Sequence, residues 1–544
     1  MDIPFTLTEQ QYLTMGCDKK EAGLKKIIPI EEHMDDVLIY HDCPGVIRTA
    51  MLRDCKKITE PEPKEVEKFK KYVDKVFERE IVPILKDFEY DPNFYYNTLD
   101  KKQQARMDKV DLEDLGKREY KMFGKKEKQI ITDTNKNPKN RCICGPNEEY
   151  KFVMGPVVHR LEMLFKKRFK GYCSGRSWKE REKIMNRRRR MGLLKTVQGD
   201  GSGFDRTQFN SLKYCEQLIY KYLVDNDKIH HVDPLIFLKQ ATVKTVKIAA
   251  CFMEKSGKSI KRHNLGYVNK TGGVQSGNCD TTFANTLRMC LYNRYIMEEY
   301  LHLSIDEYDL DTAGDDFVTF IEPSISNEEI YSAYAKVFTR DPTAKHGLGQ
   351  ILKFLKISDI EGTDFCSTET YWSEKLQSYK IIRKIDCFFT LTPWSQKALS
   401  MSDAEQKQYM LDLHAANLDW MSGLPILSEY NDLLKVYAEK IKVVVVKKIT
   451  HTRSKKIKPV SNYMAELYKD SAHERFSNLV EKLGVNEAYS FADRISDKTN
   501  TVEDFVNYLG RKYNVTKDEV AYLQRNIQAI GSSGGFSYSL PLMR

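Results

Sequence analysis

The stretch Tyr308-Asp-Leu-Asp-Thr-Ala-Gly-Asp-Asp-Phe-Val-Thr-Phe-Ile321 decides how the rest of the chain is read. One strand ends near Tyr308-Asp309-Leu310, a second runs from Phe317 to Ile321, and Ala313-Gly314-Asp315-Asp316 between them reads as a hairpin turn. Adjacent carboxylates in a tight turn repel each other and rise in pKa unless cations neutralise them. Upstream, Leu193 to Val197 reads as a short buried strand that delivers its end to Gly199-Asp200-Gly201-Ser202-Gly203-Phe204-Asp205. A helix then follows, with Phe209, Leu212, Cys215, Ile219 and Leu223 on one face. Between the two acidic sites, Thr242–Phe252 and Ser259–Val268 read as paired strands, and Gly272-Gly273 leads through Ser276-Gly277 into a helix bearing Phe283, Leu287, Cys290 and Leu291. Each piece alone is ordinary, because Asp-x4-Asp is usually a turn with a helix N-cap and Gly-Asp-Asp a common hairpin turn. Their order carries the meaning: strand-Asp-x4-Asp-helix, Gly-rich loop and helix, then strand-Gly-Asp-Asp-strand.

Oxygen ligands, few suitable histidines and a cationic surround favour Mg²⁺ over Zn²⁺ at such a carboxylate cluster. Two ions there would clamp the attacking and leaving oxygens of a phosphoryl transfer. The cationic surround is a local surplus. Lys plus Arg number 87 against 77 Asp plus Glu in 544 residues, a modest +10 overall. Yet Lys179, Arg181, Lys183, Arg187, Arg188, Arg189, Arg190 and Lys195 crowd one helix and its exit, offset only by Glu180 and Glu182. That run is either a solvated face or a phosphate-binding wall, and its position just before the first acidic strand favours the wall.

Apolar residues at 41% and charged residues at 30% describe a soluble globular chain large enough for several subdomains. Twelve cysteines with no Cys-x-x-Cys pair give no disulfide framework, and the closest spacing is Cys142-x-Cys144. The opening MDIPFTLTEQQYLTMG lacks the basic start and apolar run of a signal peptide, and the purest apolar stretch, Val443 to Val446, is far too short to span a bilayer. Helical periodicity appears over Lys64–Lys86 and Val157–Phe169, whereas residues 98 to 141 read as an exposed basic segment. Beyond residue 390, helical patterns alternate with polar loops, a basic run from Lys447 to Lys458, and a flexible-looking Gly531-Ser-Ser-Gly-Gly535.

With these residues in view, the chain resembles the RNA-dependent RNA polymerases of positive-strand RNA viruses, in the group that includes tombusvirus-like and flavivirus-like enzymes. Asp200-Gly-Ser-Gly-Phe-Asp205 resembles the first palm motif, Ser276-Gly-Asn-Cys-Asp-Thr-Thr-Phe-Ala-Asn285-Thr286 the second, and Gly314-Asp315-Asp316 the third. Phe365-Cys366-Ser367 is similar to the primer-grip turn, and Phe123-Gly-Lys125-Lys126-Glu127-Lys128 with Arg141-Cys-Ile-Cys-Gly-Pro146 to the halves of a basic fingers motif. The resemblance implies Asp200 and Asp315 as direct ligands of two Mg²⁺ ions, for which Mn²⁺ can substitute. Asp316 is expected, if pairing is regular, to turn to the other side of the pleat and to be a secondary ligand or an electrostatic support. The resemblance also implies Asp205, Ser276, Thr281 and Asn285 as ribose-selecting residues, Lys125 and Arg141 as triphosphate-binding, and Gly277, Cys366 and Ser367 as RNA-binding; Arg187 and Arg189 of the basic wall are expected, from its place before the first catalytic strand, to bind template RNA near the active-site approach. A lysine between the third motif and Phe365 should protonate the departing pyrophosphate; Lys353 and Lys356 both qualify, and Lys356 is favoured.

The implied fold is α+β, a right hand with fingers, palm and thumb around an antiparallel palm sheet. Its segments are residues 1–192 (N-terminal region and fingers), 193–225 (palm), 226–270 (fingers insertion), 271–390 (palm) and 391–544 (thumb and tail). The implied activity is template-directed RNA synthesis from ribonucleoside triphosphates, with template and nascent RNA and other viral replication proteins as partners. The expected location is the host cytoplasm, at membrane-associated replication complexes reached through those partners. A reverse transcriptase shares the palm, but Ala313-Gly314 before the paired Asp, and Asp205 with Asn285, favour a 2′-hydroxyl. A non-catalytic RNA-binding replication protein accounts for the basic clusters and leaves the ordered carboxylates unexplained.

Overall fold

The strand expected at Leu193–Val197 forms two residues further on, as Lys195–Gly201, and lies in the middle of a five-stranded sheet in the computed structural model of the chain. The structure describes residues 24–28, 37–39, 60–125, 127–130, 141–256, 259–341, 345–421, 423–441 and 501–533. They fall into two units. The first takes residues 60–125 and 141–366, and the second takes 24–28, 37–39, 127–130 and the described residues from Ser367 onward.

In chain order, the main elements of the first unit are α1 (Pro63–Val76), β1 (Tyr120–Gly124), β2 (Cys142–Pro146), α2 (Glu148–Arg168), α3 (Trp178–Arg190) and β3 (Lys195–Gly201). Next come α4 (Tyr214–Asp225), β4 (Thr245–Ser256), β5 (Ser259–Thr271) and α5 (Thr281–Tyr295). The unit ends with β6 (Tyr308–Ala313), β7 (Asp316–Ile321), α6 (Asn327–Val337), β8 (Phe338–Thr339) and β9 (Gln350–Asp359). The central sheet has the order β8-β9-β3-β7-β6, antiparallel except for the short β8–β9 pair. A second sheet has the order β2-β1-β4-β5, so strands far apart in sequence share it. Residues 98 to 141 are therefore more than an exposed basic segment. In Tyr120-Lys-Met-Phe-Gly124 alternate residues are buried, the period-2 pattern of a half-buried strand.

The helix after Asp205 begins later than its apolar spacing suggests. Phe204–Thr207 and Asn210–Leu212 are separate short turns, and α4 starts at Tyr214. Helix α5 differs from expectation more deeply, since every residue from Phe283 to Tyr295 is buried and not one apolar face alone. A helix enclosed on all sides must satisfy its polar groups internally. Arg294 meets this with two bonds to Glu80, each 2.7 Å, and the Asn293 carbonyl oxygen accepts from the Tyr334 hydroxyl at 2.8 Å.

The second unit contains β10 (Thr368–Ser373), β11 (Ser378–Arg383), α7 (Asp403–Met421), α8 (Leu427–Lys440), α9 (Val502–Tyr513) and α10 (Lys517–Ser533). The chain passes from the first unit to the second at Cys366–Ser367, and β10 packs on α9 within the second. Tyr371 meets the rings of Phe505 and Tyr508, and buried Glu369 accepts from the hydroxyls of Tyr508 and Tyr513, both at 2.7 Å. Gly531, Ser532 and Ser533, read as part of a flexible tail, are the last residues of α10. The basic run Lys447–Lys458 and the stretch Val443–Val446 lie outside the described residues. Among the described residues no helix is long and apolar enough to cross a membrane.

Candidate active site

The acidic residues converge through strand register. In the β3–β7 ladder Asp316 pairs directly with Asp200, and in the hairpin it pairs with Ala313, so only Gly314 and Asp315 form the turn. Gly314 takes φ +66, a conformation an L side chain resists, and its N–H donates to Thr286 Oγ1 on α5 at 2.9 Å. Asp315 sits over the end of β3, where its backbone carbonyl accepts from the Gly201 N–H at 3.3 Å. A Cβ at Gly201 would stand 3.3 Å from that of Asp315. The expectation that the pleat turns Asp316 away from Asp200 is thus corrected. The two-residue turn makes Asp316 the first paired residue, and directly opposed residues of an antiparallel ladder share a face.

Like charges opposed across a ladder are destabilising. Desolvation, and then Asp200 and Asp205 nearby, push the Asp315 carboxyl up. Desolvation, Asp200 and Asp315 push Asp316 up to about 6, although the Cys366 thiol donates a hydrogen bond to it. A carboxyl whose folded pKa exceeds its unfolded value of about 3.9 costs stability once it ionises. Asp316→Asn is therefore expected to stabilise the protein above pH 6, by about 1–3 kcal/mol, with the gain fading toward pH 4. Thermal unfolding of both proteins without divalent metal, from pH 4 to 8, checks this. A pH-independent difference would contradict it.

One cation already stands at the cluster. The pairing of β9 with β3 slips between Leu352 and Phe354, leaving Lys353 as the extra residue of a β-bulge, and its ammonium contacts Asp200 Oδ2. A bulge re-aims a side chain that regular alternation would direct elsewhere. Lys356, the favoured proton donor, pairs with Gln198 further along β3, and its Nζ donates to the Gly362 carbonyl at 2.8 Å. The structure therefore brings Lys353 to the carboxylates and takes Lys356 away.

On the other side of Asp315, Asp205 Oδ1 accepts from the Asn285 amide Nδ2 at 2.7 Å. The Ser276–Gly277 loop lies against β2. The Cys144 N–H donates to the Ser276 carbonyl at 2.5 Å, and Gly277, at φ +113, fits where a Cβ would meet Ile143 at 2.7 Å. Thr281 donates its hydroxyl proton to the Gln275 carbonyl at 2.9 Å, which braces the same loop and leaves the oxygen only as an acceptor. At the mouth of β1 and β2, the Lys125 N–H donates to the Arg141 carbonyl at 2.6 Å, which brings the two halves of the basic motif together. Lys126 lies outside the described residues. Cys366 and Ser367 both adopt positive φ, +51 and +56, a tight turn at the end of the first unit.

The basic helix requires a correction. Strand β3 carries the chain about 17 Å from Lys195 to Asp200, so the C-terminal end of α3 lies at the far end of the sheet from the carboxylates. Arg187 there donates to Asp309 Oδ2 at 2.9 Å, and Arg189 is exposed on the same turn. A place for these two beside the active-site approach is not supported. Two cations of the run are interior. Arg188, fully buried, bonds Asp309 at 3.0 Å and Asp311 at 2.7 and 2.8 Å over the ring of Phe320, and Arg181 covers Phe365. Arg188 locks α3 to the hairpin.

A family model described as viral RNA-dependent RNA polymerase matches residues 93–383, just over half of the chain, including Asp200, Asp205, Asp315 and Asp316. The chain belongs to the viral RNA-dependent RNA polymerases. No curated protein matches the sequence. The polymerase is a nucleotidyltransferase that binds RNA and nucleoside triphosphates, and the family implies a right-hand polymerase fold, with which the mixed helix and strand content agrees. Polymerases of this family generally use divalent metal ions. The residues present fit such an ion by donor type, since Asp200, Asp315 and Asp316 offer only hard oxygens and their mutual repulsion is what a cation relieves. Among the described residues no three acidic, histidine or cysteine side chains gather closely enough to hold an ion by themselves.

Sequence reasoning passed over three parts of the polymerase site: the bulge at Lys353, the Thr286 bond to the hairpin turn, and the buried partners of Asn285. Lys353 was visible as one of two candidates, and its distance in sequence from Asp200 hid the contact.

Proposed function

We propose that the polymerase joins a 3′-hydroxyl to the α-phosphate of a ribonucleoside triphosphate at Asp200, Asp315 and Asp316. The observation that carries this reading is the register that opposes Asp316 to Asp200 with Asp315 in the turn beside them. Two Mg²⁺ ions, or Mn²⁺ in their place, held there with the triphosphate supply charge neutralisation for the attacking and leaving oxygens. Asp200 and Asp315 are the main ligands and Asp316 the auxiliary one; Asp315 is the member of the pair whose carboxyl Asp205 also pushes up. Asp205 accepts a hydrogen bond from the 2′-hydroxyl and Asn285 donates one to it, a pairing a 2′-deoxyribose cannot make. Ser276, Gly277 and Thr281 shape the loop against the nucleotide, and Lys125 with Arg141 receives the phosphates. Lys353, from its place at Asp200, protonates the pyrophosphate as it leaves.

The first unit corresponds in this reading to palm and fingers, and the part of the second unit from Ser367 onward contains the thumb. Cys366 and Ser367 in their strained turn hold the nascent strand, and other viral proteins complete the replication machinery. The purified chain with an RNA template and four ribonucleoside triphosphates is expected to make complementary RNA only with Mg²⁺ or Mn²⁺, and a chelator is expected to stop it. RNA binding without synthesis in either metal would leave only the binding-protein reading.

A further inference from the structure

Asn285 does not stand alone on α5. One turn later Arg288, 1% exposed, donates from Nη2 to Asn285 Oδ1 at 2.6 Å, and its other Nη contacts the carboxylate of Glu216 on α4, 4% exposed. Arg288 can only donate, and an ionised Asp205 can only accept. The two partners therefore fix the amide: its oxygen must face Arg288 and its nitrogen must face Asp205. One amide N–H is spent on Asp205, and the remaining N–H is the donor Asn285 can offer a substrate.

We propose that Arg288, anchored by Glu216, is the positioning residue that fixes the Asn285 amide and thereby sets ribose selection. The inference rests on the reading of Asn285 and Asp205 as sugar-selecting residues. In this role Glu216 and Arg288 act through Asn285. The distances form one continuous chain from α4 through α5 to the loop after β3: Glu216, Arg288, Asn285, Asp205. Without the guanidinium the amide loses the partner of its oxygen and is held from one side only. Its free N–H then no longer has a fixed direction toward the 2′-oxygen, which a deoxyribose would not notice.

The test is the Glu216→Met and Arg288→Met pair, which removes the donor to Asn285 without leaving a lone buried charge. With CTP and dCTP as the matched substrates, discrimination is expected to fall about tenfold, the worth of one hydrogen bond. The fall should come from kcat/KM for CTP while that for dCTP stays unchanged. Equal losses for both substrates would show a structural role alone and overturn the inference. Asn285→Ala must itself narrow discrimination. If it does not, the sugar-selection reading fails, whereas narrowing by Asn285→Ala without narrowing by the Met pair defeats only the role of Arg288. Placed on Asn285→Ala, the Met pair should narrow discrimination no further, and an additive loss would also count against it. Should the Met pair not fold, Arg288→Lys keeps a charge for Glu216 but lacks the fork that serves both partners. Partial narrowing supports the proposal, and unchanged discrimination ends it.

Discussion

Asp315→Ala is expected to abolish nucleotide incorporation, by 10³-fold or about that at least, while RNA binding and folding persist. The carboxylate lies at the turn where β7 meets the end of β3, the place this reading gives to a main metal ligand. Its removal also relieves repulsion. Desolvation and the charges of Asp200 and Asp205 hold its carboxyl above the usual range, so the inactive variant should unfold at a temperature no lower than the wild type at pH 8 without metal. Incorporation assays in Mg²⁺ and Mn²⁺, alongside thermal unfolding, check both halves. Wild-type-like synthesis by the variant would remove these carboxylates from the reaction. A large loss of stability would mean that Asp315 is a structural residue, contrary to the electrostatics.

The second large effect separates two lysines three residues apart. Lys353→Ala is expected to lower kcat by about 10²-fold, the lower range for loss of a general acid, whereas Lys356→Ala should stay within about threefold of wild type. The bulge brings Lys353 to Asp200, while Lys356 is occupied with the Gly362 carbonyl. KM for nucleotide should change little in Lys353→Ala, because the residue acts on the departing group. Pre-steady-state single-nucleotide incorporation measures this directly. If Lys356→Ala proves the damaging change, the strand must re-register when substrate binds, and the bulge is not the working geometry.

The sequence by itself determined the elements of the site and their order. Alternating and helical periodicities located β3, the β6–β7 hairpin, the β4–β5 pair and α5 to within a few residues, because apolar spacing reflects which side of an element is buried. The order of the acidic pieces, and not residue type alone, singled out the carboxylates, since Asp-x4-Asp and Gly-Asp-Asp are each common in ordinary turns. Motif order made the polymerase family legible, and the family model matched the same region. The two short helical turns before α4 escaped, because Phe209 and Leu212 share the helical spacing of Cys215 and Ile219 while belonging to a different turn of chain.

Only the tertiary structure decided which groups meet, because facing is set by register and burial between segments distant in sequence. A one-residue slip between Leu352 and Phe354 chose Lys353 over Lys356, and a slip of one residue is invisible to composition or periodicity. The same is true of Asp316, whose place opposite Asp200 follows from a turn of two residues and not three. Arg188 looked like one more cation in an arginine run and is a buried clamp on Asp309 and Asp311. Glu216 and Arg288 carried no motif at all, since a buried ion pair is made by two helices packing and neither helix records its partner in its own sequence.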